Sequence, residues 1–239
     1  MTRLNLEILA NEMSPLGLLC LRRRELLSKP GTIVTEVTLN HEFLMSSLYS
    51  DSERALAQIA LEMHPGTDLR VLVGGLGLGY TASEVLESDR VAGVEVLELL
   101  PQVIDWLARG LMPLSSRLNG ERRLVITQGD AYQKLAEPAD EQFDLILIDV
   151  DHSPEERLGT ANDTFYGESG LRAAQRHLAA NGILAVWSYA ECSSFVDALH
   201  TVFKHVRVES VTYAHDQTNQ QYTDWLFFAR GQACDRSLA

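Results

Sequence analysis

Residues 71–79 read Val-Leu-Val-Gly-Gly-Leu-Gly-Leu-Gly, an apolar strand that runs directly into a glycine-rich loop. A helix is predicted to start near Thr81, immediately after this loop. Glycines here allow a tight turn and let the backbone approach a nucleotide, while the N–H groups at the helix start point towards it. A glycine loop of this kind also occurs as a purely structural turn. The glycines that we expect to contact a nucleotide are Gly74, Gly75, Gly77 and Gly79.

Apolar strand patterns alternate with helical patterns on both sides of this loop. The predicted strands span residues 69–74, 91–96, 124–127, 143–149 and 182–188. Such alternation indicates βαβ units and a parallel sheet that is covered on both faces. Two more strands, 205–213 and 222–229, leave no room for a helix between them and are predicted to form an antiparallel hairpin at one edge. The sequence therefore predicts an α/β fold with a seven-stranded, mostly parallel, Rossmann-like sheet.

The first 50 residues have a different texture. Short strands at 17–21 and 32–39 flank a turn at 28–31 that contains Pro30 and Gly31. A helix over 52–63 follows, with Asp51 and Ser52 as its predicted N-cap. We expect a small β-rich N-terminal domain at 1–50 and a Rossmann-like catalytic domain at 51–239.

Composition restricts the partners and the compartment. The 239 residues include 20 Lys and Arg against 33 Asp and Glu, a net charge of −13, which disfavours nucleic acid and anionic membranes and favours a cationic ligand. The three cysteines are far apart and show neither disulfide nor metal spacing, so a cytoplasmic protein without a metal site is expected. The sequence predicts no signal peptide and no membrane helix.

Acidic residues lie at the carboxyl end of the second predicted strand and directly after the third. Glu95 lies 16 residues after Gly79, where a carboxylate can accept hydrogen bonds from both ribose hydroxyls of a nucleoside. The nearby Glu98 is more ambiguous, since it also suits a helix N-terminus. Asp130 and Ala131 follow the third strand and are placed to contact an adenine edge, although Asp130 is also a favoured N-cap residue.

The fourth strand ends in Asp149-Val-Asp-His152. Its carboxyl end lies at the same sheet edge as the glycine loop, where open α/β sheets bind ligands. Asp149 and Asp151 are therefore predicted to hold a cationic amine and to remove a proton from it. Asp151 is equally suited to capping the following turn, and His152 is the weaker candidate.

The order of these motifs resembles the spermidine synthases, or polyamine aminopropyltransferases, within the class I S-adenosylmethionine-dependent methyltransferase fold. The resemblance rests on the following segments: 39–44, 71–79, 94–96, 129–131, 143–149, 164–166 and 181–184. It implies that Glu95 binds the ribose, that Asp130 and Ala131 bind the adenine, and that Asp149 lies at the reaction centre. It also implies a homodimer and a donor that is either S-adenosylmethionine or its decarboxylated form.

The sequence departs from the family pattern on the acceptor side. Gly77 occupies an acidic position of the family's loop, the family's Tyr-His pair appears as Met45-Ser46, and its fifth-strand Gln appears as Trp187. The leading hypothesis is a transferase that moves an aminopropyl or methyl group from a sulfonium nucleoside to a small amine. Two alternatives are a non-catalytic nucleoside-binding protein and an NAD-dependent oxidoreductase.

Overall fold

The computed structural model describes residues 6–150, 162–215 and 220–231, which form two β-sheets and the helices between their strands. The N-terminal sheet is antiparallel, in the order β1-β2-β3-β4. Its strands are β1 (Leu6–Ser14), β2 (Gly17–Glu25), β3 (Ile33–Leu39) and β4 (Glu42–Ser46). The sequence predicted only the two central strands, because the outer strands carry many exposed residues and lack a continuous apolar pattern.

The second sheet has seven strands in the order β10-β11-β9-β8-β5-β6-β7. Its parallel strands are β5 (Leu69–Gly74), β6 (Val91–Glu98), β7 (Leu124–Gln128), β8 (Phe143–Ile148) and β9 (Leu178–Ser188). The last two strands, β10 (His205–His215) and β11 (Gln220–Arg230), form an antiparallel hairpin that pairs with β9. The predicted α/β fold with a seven-stranded, mostly parallel sheet is confirmed.

Helices connect the parallel strands and cover both faces of this sheet. They are α1 (Asp51–Met63), α2 (Tyr80–Val85), α3 (Pro101–Ala108), α4 (Ser115–Leu118), α5 (Ala131–Ala136), α6 (Asn162–Phe165), α7 (Glu168–Arg176) and α8 (Ser193–Val202). The predicted N-cap of α1 was one residue late, since Ser50 occupies that position. No described helix is long and apolar enough to cross a membrane.

The core consists of two buried clusters, one on each face of the seven-stranded sheet. Alternate residues of a strand belong to different clusters: Val71 and Val73 pack on one side, and Leu72 packs on the other. The first cluster also contains Leu19 of the N-terminal sheet and Leu56 of α1. One continuous apolar cluster therefore joins the two sheets, and the division of the chain at residue 50 stays a prediction.

Candidate active site

A cavity of about 610 Å³ opens at the carboxyl ends of the parallel strands, between the seven-stranded sheet and the N-terminal sheet. The loop after β5 forms its floor, and Leu44 and Met45 of β4 contribute apolar wall. Polar side chains are few. The acidic residues that line the cavity are Glu53, Glu98, Asp130 and Asp149.

The glycine loop makes the closest approach between backbone segments at this edge. Gly75 has φ +94°, and a Cβ there would lie 2.2 Å from the carbonyl oxygen of Asp149. Only glycine fits this position without a backbone shift. Gly77 has φ +52°, and a Cβ there would make only an ordinary van der Waals contact, with the Met45 Sδ at 3.8 Å.

Two of the four predicted loop glycines contact the cavity. Gly75 and Gly77 line it. Gly74 is the last residue of β5, and Gly79 is the N-cap of α2, so both lie at the ends of elements and are not among the described lining residues. Gly74 and Gly79 thus shape the loop from outside the cavity.

Glu98, and not Glu95, is the acidic residue that the second strand brings to the cavity. The predicted strand end at residue 96, which placed Glu95 at the sheet edge, was wrong, because β6 continues to Glu98. Glu95 lies within the sheet, opposite Leu72 on one side and Val125 on the other, and does not line the cavity. The sequence signal for Glu98 was Pro101, which occupies the first turn of α3 and marks where the strand has already ended.

The Glu98 carboxylate is buried and fixed by backbone donors. The N–H of Leu76 donates to Oε2 and the N–H of Leu100 donates to Oε1, each at 2.8 Å. Burial raises the pKa of Glu98, while the backbone hydrogen bonds, including one from Gly77, act in the opposite direction. Glu98 thus connects the glycine loop to the start of α3 and presents a fixed acceptor to the cavity.

Asp130 and Ala131 lie where the sequence predicted, at the end of β7. Asp130 caps α5, since its Oδ1 accepts from the N–H of Tyr132 at 2.8 Å and from that of Gln133 at 3.3 Å. Both Asp130 and Ala131 also line the cavity. Capping and ligand contact are therefore compatible at Asp130.

Asp149 follows β8 on the other side of the glycine loop. Its Oδ2 accepts a hydrogen bond from the Thr81 hydroxyl of α2. Burial raises the pKa of Asp149 to about 6, the hydrogen bond from Thr81 lowers it, and the negative charge of Asp224 raises it. A carboxylate of this kind can accept a proton near neutral pH. Asp151 and His152, the other candidates from this segment, lie outside the described residues.

The structure places two further acidic residues near Asp149 that the sequence did not predict as site residues. Glu53 lies in the first turn of α1 and lines the cavity next to Asp149. Burial, followed by the charges of Asp149 and Asp224, raises the pKa of Glu53 to about 8, although hydrogen bonds from its own backbone N–H and from Ser52 act in the opposite direction. Asp224, on β11, is only 5 % exposed, and its pKa is raised by burial.

Aromatic side chains lie near Glu53, Asp149 and Asp224. Trp187, near the end of β9, lines the cavity. Tyr213 of β10 stacks between Tyr49 and Tyr222, with ring centroids 4.8 Å and 6.1 Å apart. Burial and the nearby charges of Asp224 and Glu53 raise the pKa of Tyr213. Carboxylates and aromatic faces together favour the binding of an organic cation.

Comparison with curated proteins finds sequence similarity to polyamine aminopropyltransferases. The chain is 34% identical over 130 residues to polyamine aminopropyltransferase 2 of Streptomyces coelicolor, a match that covers 52% of this chain and 23% of the relative. It is 36% identical over 123 residues to a polyamine aminopropyltransferase of Ruegeria sp., covering 50% and 40%, and 29% identical over 148 residues to one of Prochlorococcus marinus, covering 60% and 50%. Over about half of its length, the chain is thus similar in sequence to polyamine aminopropyltransferases.

This chain spans half or less of the length of the curated polyamine aminopropyltransferases that it matches. No family model matches it. The comparisons favour neither the non-catalytic nor the NAD-dependent alternative.

Solved spermidine synthases share the fold. The Thermotoga maritima enzyme superposes with a TM-score of 0.71 at 19% identity, covering 95% of this chain and 73% of that one. A spermidine synthase in complex with the transition-state analogue AdoDATO gives the same values. A probable spermidine synthase from Corynebacterium glutamicum gives a TM-score of 0.64 at 15% identity, covering 94% and 79%. The β-rich N-terminal piece is thus included in the shared architecture.

Proposed function

We propose that the protein transfers an aminopropyl group from decarboxylated S-adenosylmethionine to a small amine. The nucleoside of the donor occupies the half of the cavity formed by Glu98, Asp130 and Ala131. The acceptor amine occupies the half formed by Asp149, Glu53 and Trp187. The names of the sequence relatives, polyamine aminopropyltransferases, support the same reaction class.

The charge of the cavity is the observation that favours decarboxylated S-adenosylmethionine over S-adenosylmethionine as the donor. Four acidic side chains and no described Lys, Arg or His side chain line it. S-adenosylmethionine carries a carboxylate that would need a positively charged or N–H partner, whereas the decarboxylated donor is a dication. The loop N–H of Leu76, which could have served a donor carboxylate, is already bonded to Glu98 at 2.8 Å. The cavity therefore suits the decarboxylated donor.

The reaction needs alignment more than activation, because a sulfonium group is already a good leaving group. The acceptor nitrogen attacks the carbon next to sulfur, the new C–N bond forms as the C–S bond breaks, and the electron pair stays on sulfur in a neutral thioether. The nitrogen must lose a proton to act as a nucleophile. Asp149 accepts that proton, and its hydrogen bond from Thr81 holds the carboxylate in place.

The test is turnover with each donor and a panel of amines, measured as thioether nucleoside by mass spectrometry. We expect the decarboxylated donor to bind at least tenfold more tightly than S-adenosylmethionine, a difference of about 1.4 kcal/mol. Preference for S-adenosylmethionine, with methylated product, would replace aminopropyl by methyl transfer. Absence of turnover with either donor across the panel would favour a nucleoside-binding protein.

Asp149→Asn tests the assignment of the proton acceptor. We expect turnover to fall at least tenfold, while donor affinity stays nearly unchanged. Asp140→Asn is the matched control, because Asp140 is exposed in the segment before β8. Full activity of the Asp149 variant would remove this residue from the mechanism. Homodimer formation and a cytoplasmic location remain predictions that this test does not address.

A further inference from the structure

The Ser52 hydroxyl is the centre of a buried hydrogen-bond cluster beside the acceptor half of the cavity. Ser52 is 4 % exposed, and its Oγ has three polar neighbours on three different elements. The Trp187 Nε1 lies 3.1 Å away, the Asp224 Oδ2 2.6 Å away and the Glu53 Oε2 3.2 Å away. All three contacts are within hydrogen-bond distance.

The number of hydrogens in this cluster limits the charge of its members. An indole N–H can only donate, so Trp187 uses one lone pair of the Ser52 oxygen at 3.1 Å, and the same N–H also reaches the Asp224 carboxylate. Ser52 has one hydrogen, and the shorter contact assigns it to Asp224. The Ser52 hydrogen is then not available for the contact between Ser52 and Glu53. This contact is a hydrogen bond if Glu53 is protonated and donates to the second lone pair of the Ser52 oxygen.

The charges around Glu53 favour its neutral form. Asp149 and Asp224 face it from β8 and β11, and the phenols of Tyr213 and Tyr80 face it from β10 and α2. The cation nearest in sequence, Arg54, lies over the Tyr80 ring at 5.1 Å from its centroid and donates to the Glu84 carboxylate at 2.7 Å.

We propose that Glu53 carries a proton in the empty cavity, donates it to the Ser52 oxygen, and releases it to solvent when the ammonium group of the acceptor binds. The O–H bond of the acid breaks, its electron pair stays on Glu53, and the resulting carboxylate pairs with the ammonium group. Ser52 and Asp224 act as positioning residues that hold Glu53 in this state. The second half of this inference rests on the proposed function, whereas the first half does not.

Infrared difference spectroscopy of the empty protein tests the first half without any ligand. The wild type at pH 7 should show the C=O band of a neutral carboxylic acid, which is lost in Glu53→Gln. Gln is a close mimic of the protonated acid, because its amide N–H can donate to Ser52 in the same way. An identical spectrum of the two proteins in this region would overturn the inference.

Two further variants separate a charge effect from a structural one. Asp224→Asn removes a neighbouring negative charge, so the pH at which the acid band disappears should move down. Asp51→Asn changes an exposed carboxyl one residue before Ser52 and should leave that pH unchanged. An equal pH of band loss in the two variants would contradict the influence of Asp224 on the proton of Glu53.

Calorimetric titration with butane-1,4-diamine at pH 7, in two buffers of different ionisation enthalpy, tests the second half. The wild type should release about one proton more per bound diamine than Glu53→Gln does. Binding with equal proton release in both proteins would overturn the release step. Absence of diamine binding would instead refute the acceptor class of the proposed function, and the infrared result would still decide the proton on Glu53.

Discussion

Glu98 and Glu95 lie three residues apart on β6, and substituting each by Gln separates a ligand-binding role from a structural one. Glu98 borders the cavity, whereas Glu95 lies inside the sheet. Hydrogen bonds to a charged group contribute about 1.5–3 kcal/mol. At about 1.4 kcal/mol per tenfold change, Glu98→Gln should weaken nucleoside binding roughly 10- to 150-fold. Glu95→Gln should change it less than about twofold, because no ligand contact is lost.

The suitable ligand is 5′-methylthioadenosine, since it tests the nucleoside half of the cavity without the acceptor half, and calorimetric titration gives its affinity directly. Glu98→Gln also removes one of two acceptors for the N–H groups of Leu76 and Leu100. Thermal unfolding should therefore show a loss of about 1–3 kcal/mol for this variant, and binding is measured well below the unfolding temperature. Equal loss of affinity in the two variants would refute the placement of the nucleoside.

Three further predictions follow from the loop and the carboxylates. Gly75→Ala places a methyl group against the Asp149 carbonyl oxygen and should lower the free energy of unfolding more than the control Gly110→Ala, which has φ +79° and open space around it. Equal losses in chemical denaturation would contradict the close contact at Gly75. Gly77→Asp adds a carboxylate where a Cβ would meet only the Met45 Sδ, at 3.8 Å, and Asp tolerates the left-handed conformation. Affinity for the decarboxylated donor should therefore rise by up to about tenfold in calorimetry, and unchanged or weaker binding would contradict the donor's orientation. Because the folded-state pKa of Glu53, about 8, lies above its usual 4.5, its contribution to stability is complete below pH 4.5 and is lost as the pH rises through 8. Glu53→Gln should therefore gain stability relative to the wild type between pH 5 and 8, by up to about 1.4 kcal/mol per pH unit, in urea unfolding; a constant difference would refute the raised pKa.

The sheet could be predicted from the sequence because its strands are buried on both faces. In β8 every residue after Asp144 is apolar, and the flanking helices separate such runs clearly. The outer strands of the N-terminal sheet have no such pattern. Leu6, Ile8 and Met13 of β1 are exposed, so their hydrophobicity does not mark a buried face.

The nucleoside half of the site was predictable to within three residues, because its side chains directly follow predicted strands. The error at Glu95 came from ending the second strand early. Glu53 and Asp224 could not be found in the same way. Glu53 resembles an ordinary acid in the first turn of a helix, and Asp224 lies within a strand of the edge hairpin. Ser52 and Asp224 are 172 residues apart and meet only after the hairpin pairs with β9.

The order of the strands explains how one cavity can hold two substrates. β5 has β6 and β7 on one side and β8, β9, β11 and β10 on the other. Glu98 and Asp130 belong to the first side, whereas Asp149, Trp187 and Asp224 belong to the second. The loop after β5 lies between them, and at Gly75 it has no room for any side chain. In the proposed function, a nucleoside on one side and an amine on the other would meet above this loop. Gly75 would serve that reaction by letting the loop lie directly against the Asp149 backbone, and the chemistry would depend on the acidic side chains on either side.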